Sequence, residues 1–122
     1  MAQYRDLEID QGSDVKWEIE LQQTDGTPRD LTNYTIVGNA NRSYDADSSE
    51  LFAMGSRIIT PSSQGVFEVS LTNIQTEQMN RRRYVYDIEV LYIDSDAVGS
   101  PTIKERVLEG NIMVSRSVSK FD

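Results

Sequence analysis

Residues 11–21 read QGSDVKWEIEL and decide the fold class, because they hold the most regular two-residue alternation in the chain. Apolar side chains at Val15, Trp17 and Ile19 alternate with charged ones, as on a strand with one buried face. The sequence DGTP at residues 25–28 then predicts a tight turn, and apolar alternation resumes after it. The pattern predicts a strand, a turn and a second strand, with Trp17 in the core.

The same alternation extends along most of the chain and predicts a string of short strands. They cover residues 7–9, 15–21, 34–41, 51–54, 57–60, 66–71, 84–93 and 103–114. Between two of them, Thr72 predicts the N-cap of a single helical turn with Ile74 and Met79 on one side. A change in the inward register at Val107, close to Gly110, predicts a β-bulge in the last strand.

Short strands joined by tight turns, without long helices between them, predict an all-β fold. The expected architecture is an antiparallel immunoglobulin-like β-sandwich of about seven strands with one short helical turn, and a small closed barrel is the alternative. Tyr86 occupies a position typical of a tyrosine corner, with its hydroxyl expected to bond to backbone within residues 73–79. A single domain over residues 1–122 is expected, with an arm at residues 1–6 and a tail at residues 115–122.

The composition of the 122 residues argues against several functions, since the net charge is −8 and both cysteine and histidine are absent. The negative field disfavours nucleic acid and anionic membranes as partners, and no targeting or membrane segment is expected. Without thiols or imidazoles, the usual metal sites and catalytic triads lose their members, so no cofactor, metal site or enzyme activity is expected. The acidic loops at residues 45–50 and 94–96 are better explained as solvated loops than as calcium sites.

Several of these segments occur together in a known family, and they cover nearly the whole chain. They are IDQGSD at 9–14, DGTPRDLTNYT at 25–35, NRSY at 41–44, LTNIQT at 71–76, YVYDIE at 84–89 and RVLEG at 106–110. In this order they resemble small immunoglobulin-like structural proteins of tailed bacteriophages, including those of T4-like cyanophages. They are also similar to the N-terminal docking domain of phage baseplate and fibre-holding proteins. Asn33 stands where that family more often has glycine.

The resemblance implies a non-enzymatic virion protein, assembled in the host cytoplasm, that makes protein–protein contacts. It would sit in the tail, baseplate or neck, where it would dock fibres or neighbouring subunits in a homo-oligomeric ring or array. Decoration of the capsid exterior is the alternative location. An adhesion module that binds carbohydrate is a further alternative, for which the candidate aromatic residues are Tyr44, Phe52 and Tyr92.

Contact residues are expected where sheets are open or apolar side chains lie on the second face of a strand. The candidates are Val85, Leu91, Ile93, Arg81, Arg82, Arg83, Tyr4 and Phe121. For the first three, coverage by the second sheet or by the short helix is an equally good explanation. The arginine run is expected to pair with an acidic surface, either within the chain or on another subunit.

Overall fold

The computed structural model describes residues 2–118, apart from the side chain of Ser48. Within this part the chain forms strands β1 (Gln3–Tyr4), β2 (Leu7–Asp10), β3 (Val15–Glu20), β4 (Thr35–Asn41), β5 (Phe52–Ile58), β6 (Val66–Leu71), β7 (Arg83–Ile93) and β8 (Thr102–Ser115). Its helical elements are α1 (Asn73–Glu77) and two 3-10 turns, Ser48–Glu50 and Ser62–Gln64. The all-β prediction is confirmed.

One strand, β5, connects the two layers of the fold. Residues 52–54 pair with β4, which continues through β7 to β8, whereas residues 55–58 pair with β6, which continues to β3. Where β5 separates from β4, the Ser56 hydroxyl donates to the Ile36 carbonyl at 2.9 Å and replaces a backbone hydrogen bond between the two strands. The sheet is therefore continuous but curls over itself like a sandwich, and the weak strands predicted at 51–54 and 57–60 are one strand.

The core lies between the two layers and is formed by the inward residues of the alternating strands. Phe67, Val69 and Leu71 of β6 face Tyr86, Ile88 and Val90 of β7 across it, all of them buried. Trp17 is half-buried and packs against this core, as predicted. Burial of such side chains contributes about 1.5 to 3 kcal/mol each, which is the main source of stability.

One prediction about strand pairing is wrong. The sheet is not purely antiparallel, because β1 and β2 both pair with β8 in parallel. The strands β3 and β4 do not pair with each other across the turn at Gly26, where the residual pairing is one bridge between Gln22 and Pro28. The turn itself forms, with Gln23 N–H donating to the Thr27 carbonyl at 2.8 Å. Leu31 then buries its side chain completely, which directs the chain into the other layer.

The predicted bulge in β8 is confirmed, since the register shifts beside Ile88 and leaves Val107 as the extra residue. The predicted partner of Tyr86 is wrong, because its hydroxyl donates to the carbonyl of Arg5 instead of to residues 73–79. The reason lies in Gly110, which is paired with Tyr86 and has no side chain to block the N-terminal strands. What was expected to be a free arm is therefore joined to the sheet at β1.

The helix α1 begins as predicted at Thr72, whose side chain forms a capping box with Gln75. Met79 is fully buried. Ile74 is 68 % exposed, so the prediction that Ile74 and Met79 line one side of the helical turn is wrong. In a helix of only five residues few side chains can face the core, and here the buried side chain is that of Thr76.

An arginine clamp closes the end of the sandwich opposite α1. The guanidinium of Arg29 forms two hydrogen bonds to the Glu105 carboxylate, at 2.9 and 3.1 Å. It also lies 5.4 and 5.6 Å from the ring centroids of Tyr34 and Tyr92, which are stacked on each other at 4.6 Å. The clamp ties the loop before β4 to β7 and β8 by cation–π and charge-assisted contacts.

The clamp predicts a pH dependence of stability. The Arg29 hydrogen bonds hold the pKa of Glu105 below its ordinary value of 4.5. The contribution of the Arg29–Glu105 pair to folding stability is thus fully present above pH 4.5, and it is lost as the pH falls through the lower pKa that Glu105 has in the folded state. We expect Glu105→Gln to lower the free energy of unfolding by at most about 1 kcal/mol at pH 6, because the carboxylate is partly solvated.

Urea unfolding of the wild type and Glu105→Gln at pH 6 and pH 3 measures this effect. The difference between the two proteins should close at pH 3. Glu8→Gln removes an exposed carboxylate that forms no ion pair within residues 2–118, and it should show no such closing gap. A Glu105→Gln difference that is equal at both pH values would contradict the prediction.

Candidate functional site

The outer face of the β4–β7–β8 layer carries most of the predicted contact residues. Val85, Leu91 and Ile93 alternate with the buried residues of β7 and so point away from the core. Val85 and Leu91 are half-buried, and Ile93 is 64 % exposed. The layer formed by β3, β6 and the end of β5 packs against the opposite face of β7, so it does not cover these side chains.

Charged side chains occupy the centre of this outer face. Arg106 of β8 lies 3.5 Å from the Asp87 carboxylate, and Lys104 lies 3.9 Å from the Glu89 carboxylate. Burial raises the pKa of Asp87, and Arg106 only partly offsets this. Asp87 is thus a carboxylate already partly removed from water, as in the charged centre of many interfaces.

The face also includes Tyr4, which the sequence placed in a separate arm. Tyr4 pairs with Glu109 in the register of β1 and β8, and Asn111 donates to its hydroxyl. Asn111 is in turn paired with Val85 on β7. Tyr4 and Val85 are therefore brought to the same surface, one strand apart.

The arginine run lies at the end of this layer and is exposed along its whole length. Arg83 opens β7, and Arg81 and Arg82 precede it. None of the three forms an ion pair within residues 2–118, so the expected pairing with an acidic surface is not satisfied inside this part of the chain. Phe121, the remaining candidate, lies outside the described residues.

Sequence reasoning missed some members of the surface. Val37 of β4 and Met113 of β8 are exposed on the same face, and the two-residue alternation of their strands could have identified both. Next to Val85, a shallow pocket of about 220 Å³ is flanked by the exposed Tyr44 and Leu51. These two come from the loop after β4, and no periodic signal marks a loop.

The aromatic residues considered for carbohydrate binding do not form a platform. Phe52 packs edge-on against Tyr84 with centroids 5.8 Å apart, and Tyr92 stacks on Tyr34 inside the arginine clamp. Tyr44 is exposed but follows the end of β4, whereas Tyr34 of the clamp precedes the start of β4. Only one of the three thus offers a free ring face.

The acidic loops use their carboxylates locally. Asp47 accepts a hydrogen bond from the Ser49 amide, Asp94 accepts one from the Asp96 amide, and Glu50 pairs with Arg42. No group of three or more acidic side chains suited to a metal ion is found in the described range, residues 2–118. In the same range, no helix is long and apolar enough to span a bilayer.

Comparisons with known proteins add no further assignment, because no protein family matches the sequence and a search of curated proteins found no match.

Proposed function

We propose that this chain is a non-enzymatic structural protein of a tailed-phage virion, located in the tail, baseplate or neck, where it docks neighbouring subunits or fibres. The observation that carries the proposal is the outer face of β4, β7 and β8, on which exposed apolar side chains surround a partly buried charged centre. Apolar anchors around desolvated charges are typical of surfaces that bind other proteins.

The strand pairing supports the immunoglobulin-like assignment on which the proposal depends. If β3 to β8 are lettered B to G, the pairings β3–β6–β5 and β4–β7–β8 correspond to the B–E–D and C–F–G layers of that fold. Such sandwiches bind partners through loops and open faces on a rigid scaffold. The match concerns the scaffold, and the phage assignment comes from the sequence resemblance.

Self-association provides the direct test of the surface. We expect the purified chain to form oligomers in sedimentation velocity experiments, and we expect Ile93→Asp to weaken that association at least tenfold, since it places a charge at an apolar contact. Ile74→Asp is the matched control, because Ile74 has a similar exposure of 68 % but lies on α1. It should associate like the wild type.

A wild type that stays monomeric at 100 µM, or equal losses in both variants, would count against the surface. The location requires a second observation, a reconstruction of virions that carry the chain. Density at the tail, baseplate or neck is expected. Density on the head exterior would instead place the chain among capsid decoration proteins.

A further inference from the structure

A second surface lies at the α1 end of the sandwich, a polar cleft of about 530 Å³. It opens between the start of β5, the start of β7 and the segment that follows α1. Two arginines and three side-chain amides line it, namely Arg42, Arg81, Gln75, Gln78 and Asn80. We refer to it as the arginine cleft.

The arginine cleft has a positive balance inside a chain whose net charge is −8. Its one acidic lining residue, Glu50, is already paired with Arg42. Arg81 forms no ion pair within residues 2–118. An anionic group entering the cleft would meet one guanidinium that is free to bind it and several amide donors.

Part of the cleft wall is held in place before any ligand arrives. Gln75 accepts a hydrogen bond from the Thr72 amide at 2.9 Å and donates to the Ala53 carbonyl at 2.7 Å. Arg81 is fixed at its backbone, where its N–H donates to the Tyr84 hydroxyl at 3.3 Å. Preorganised donors lose less entropy on binding than mobile ones.

We propose that the arginine cleft binds a carboxylate-bearing segment of an acidic peptide supplied by a neighbouring protein. The inference rests on the proposed assembly function and names the chemistry of one partner. A guanidinium binds a carboxylate with two parallel hydrogen bonds, and the amides of Gln78 and Asn80 can meet the peptide groups beside it. Nucleic acid is disfavoured because its phosphates extend far beyond the cleft onto a surface whose net negative charge repels them, whereas a short acidic peptide needs little more than the cleft.

NMR titration of the ¹⁵N-labelled chain tests the proposal, with acetylated hexaglutamate as the probe. We expect the side-chain amide signals of Gln75, Gln78 and Asn80 and the Arg81 Nε signal to shift together. Acetylated hexaglutamine and sodium phosphate serve as separate arms and should cause smaller shifts at the same concentration. Higher salt should weaken the binding of hexaglutamate.

Arg81→Gln should weaken hexaglutamate binding about tenfold, as expected for loss of a charged hydrogen-bonded contact. Arg82→Gln is the matched control, because it removes the same charge from the next residue, which does not line the cleft. It should bind within about twofold of the wild type, apart from a general electrostatic loss. Arg81→Lys keeps the charge without the planar fork and should fall between the two.

The proposal is overturned if hexaglutamate causes no shifts in the cleft, if Arg82→Gln weakens binding as much as Arg81→Gln, or if phosphate binds equally well. These results leave the assembly function standing when the wild type still associates through Ile93. Conversely, a monomeric wild type that binds hexaglutamate would contradict the proposed interface on the outer face and support the proposed binding site in the arginine cleft.

Discussion

Replacing Gly110 with valine should lower the free energy of unfolding by about 4 kcal/mol. A Cβ at this position would collide with the carbonyl oxygen of Arg5, on the N-terminal segment that lies across β8. The clash is with backbone, so the segment itself must move. Overpacking alone costs about 1 to 3 kcal/mol. Displacement would also break the Tyr86 hydrogen bond and the bond from Arg5 N–H to the Glu109 carbonyl, at about 1 kcal/mol each.

Urea unfolding of Gly110→Val measures this loss, and two variants separate its causes. Tyr86→Phe removes only the hydroxyl contact to Arg5 and should cost about 1 kcal/mol. Gly110→Ala adds only the Cβ that would meet the Arg5 carbonyl oxygen, so it should retain most of the loss seen in Gly110→Val. A Gly110→Val protein as stable as the wild type would show that the N-terminal segment is not anchored there.

The sequence predicts the secondary structure well wherever a strand buries one of its two faces. The alternation in β3, β6 and β7 reports directly on burial, and the capping pattern at Thr72 reports on a local hydrogen bond. The pattern does not predict which strands pair, because the register between strands depends on contacts between residues that are distant in sequence. The parallel alignment of β1 with β8 and the partner of Tyr86 are both consequences of such a contact, at Gly110.

The same distinction applies to the candidate sites. The sequence predicts Val85, Leu91 and Ile93 as contact residues because they alternate along a single strand, and all three lie on the outer face. The arginine cleft joins residues from the loop after β4, from α1 and from the segment before β7. The sequence singles out Arg81, Phe52 and Glu50 for three unrelated reasons, because nothing in it shows that they line one cleft with Arg42 and Gln75.

Thr76→Val should lower the free energy of unfolding by about 2 kcal/mol, although it hardly changes the volume of the side chain. Thr76 is fully buried, and its hydroxyl accepts a hydrogen bond from the Gly12 amide at 3.0 Å. The same hydroxyl donates to the Ser13 carbonyl at 2.9 Å. Valine would leave both backbone groups without this partner, so α1 would lose its buried polar link to the turn between β2 and β3, while the exposed hydrogen bonds from Gln11 to Glu77 and from Asn73 to Asp14 would remain.

The serine variant distinguishes the hydroxyl from the methyl group. Thr76→Ser keeps both hydrogen bonds and loses one buried methyl, so it should cost about 1 kcal/mol, less than Thr76→Val. Hydrogen exchange at the Gly12 amide adds a local readout, because the amide should exchange faster in Thr76→Val and near the wild-type rate in Thr76→Ser. A serine variant less stable than the valine variant would mean that packing, and not the hydroxyl, holds α1 against the strands. Since α1 carries Gln75, loosening this link should also disorder the wall of the arginine cleft, which connects the stability of the scaffold to the proposed binding site.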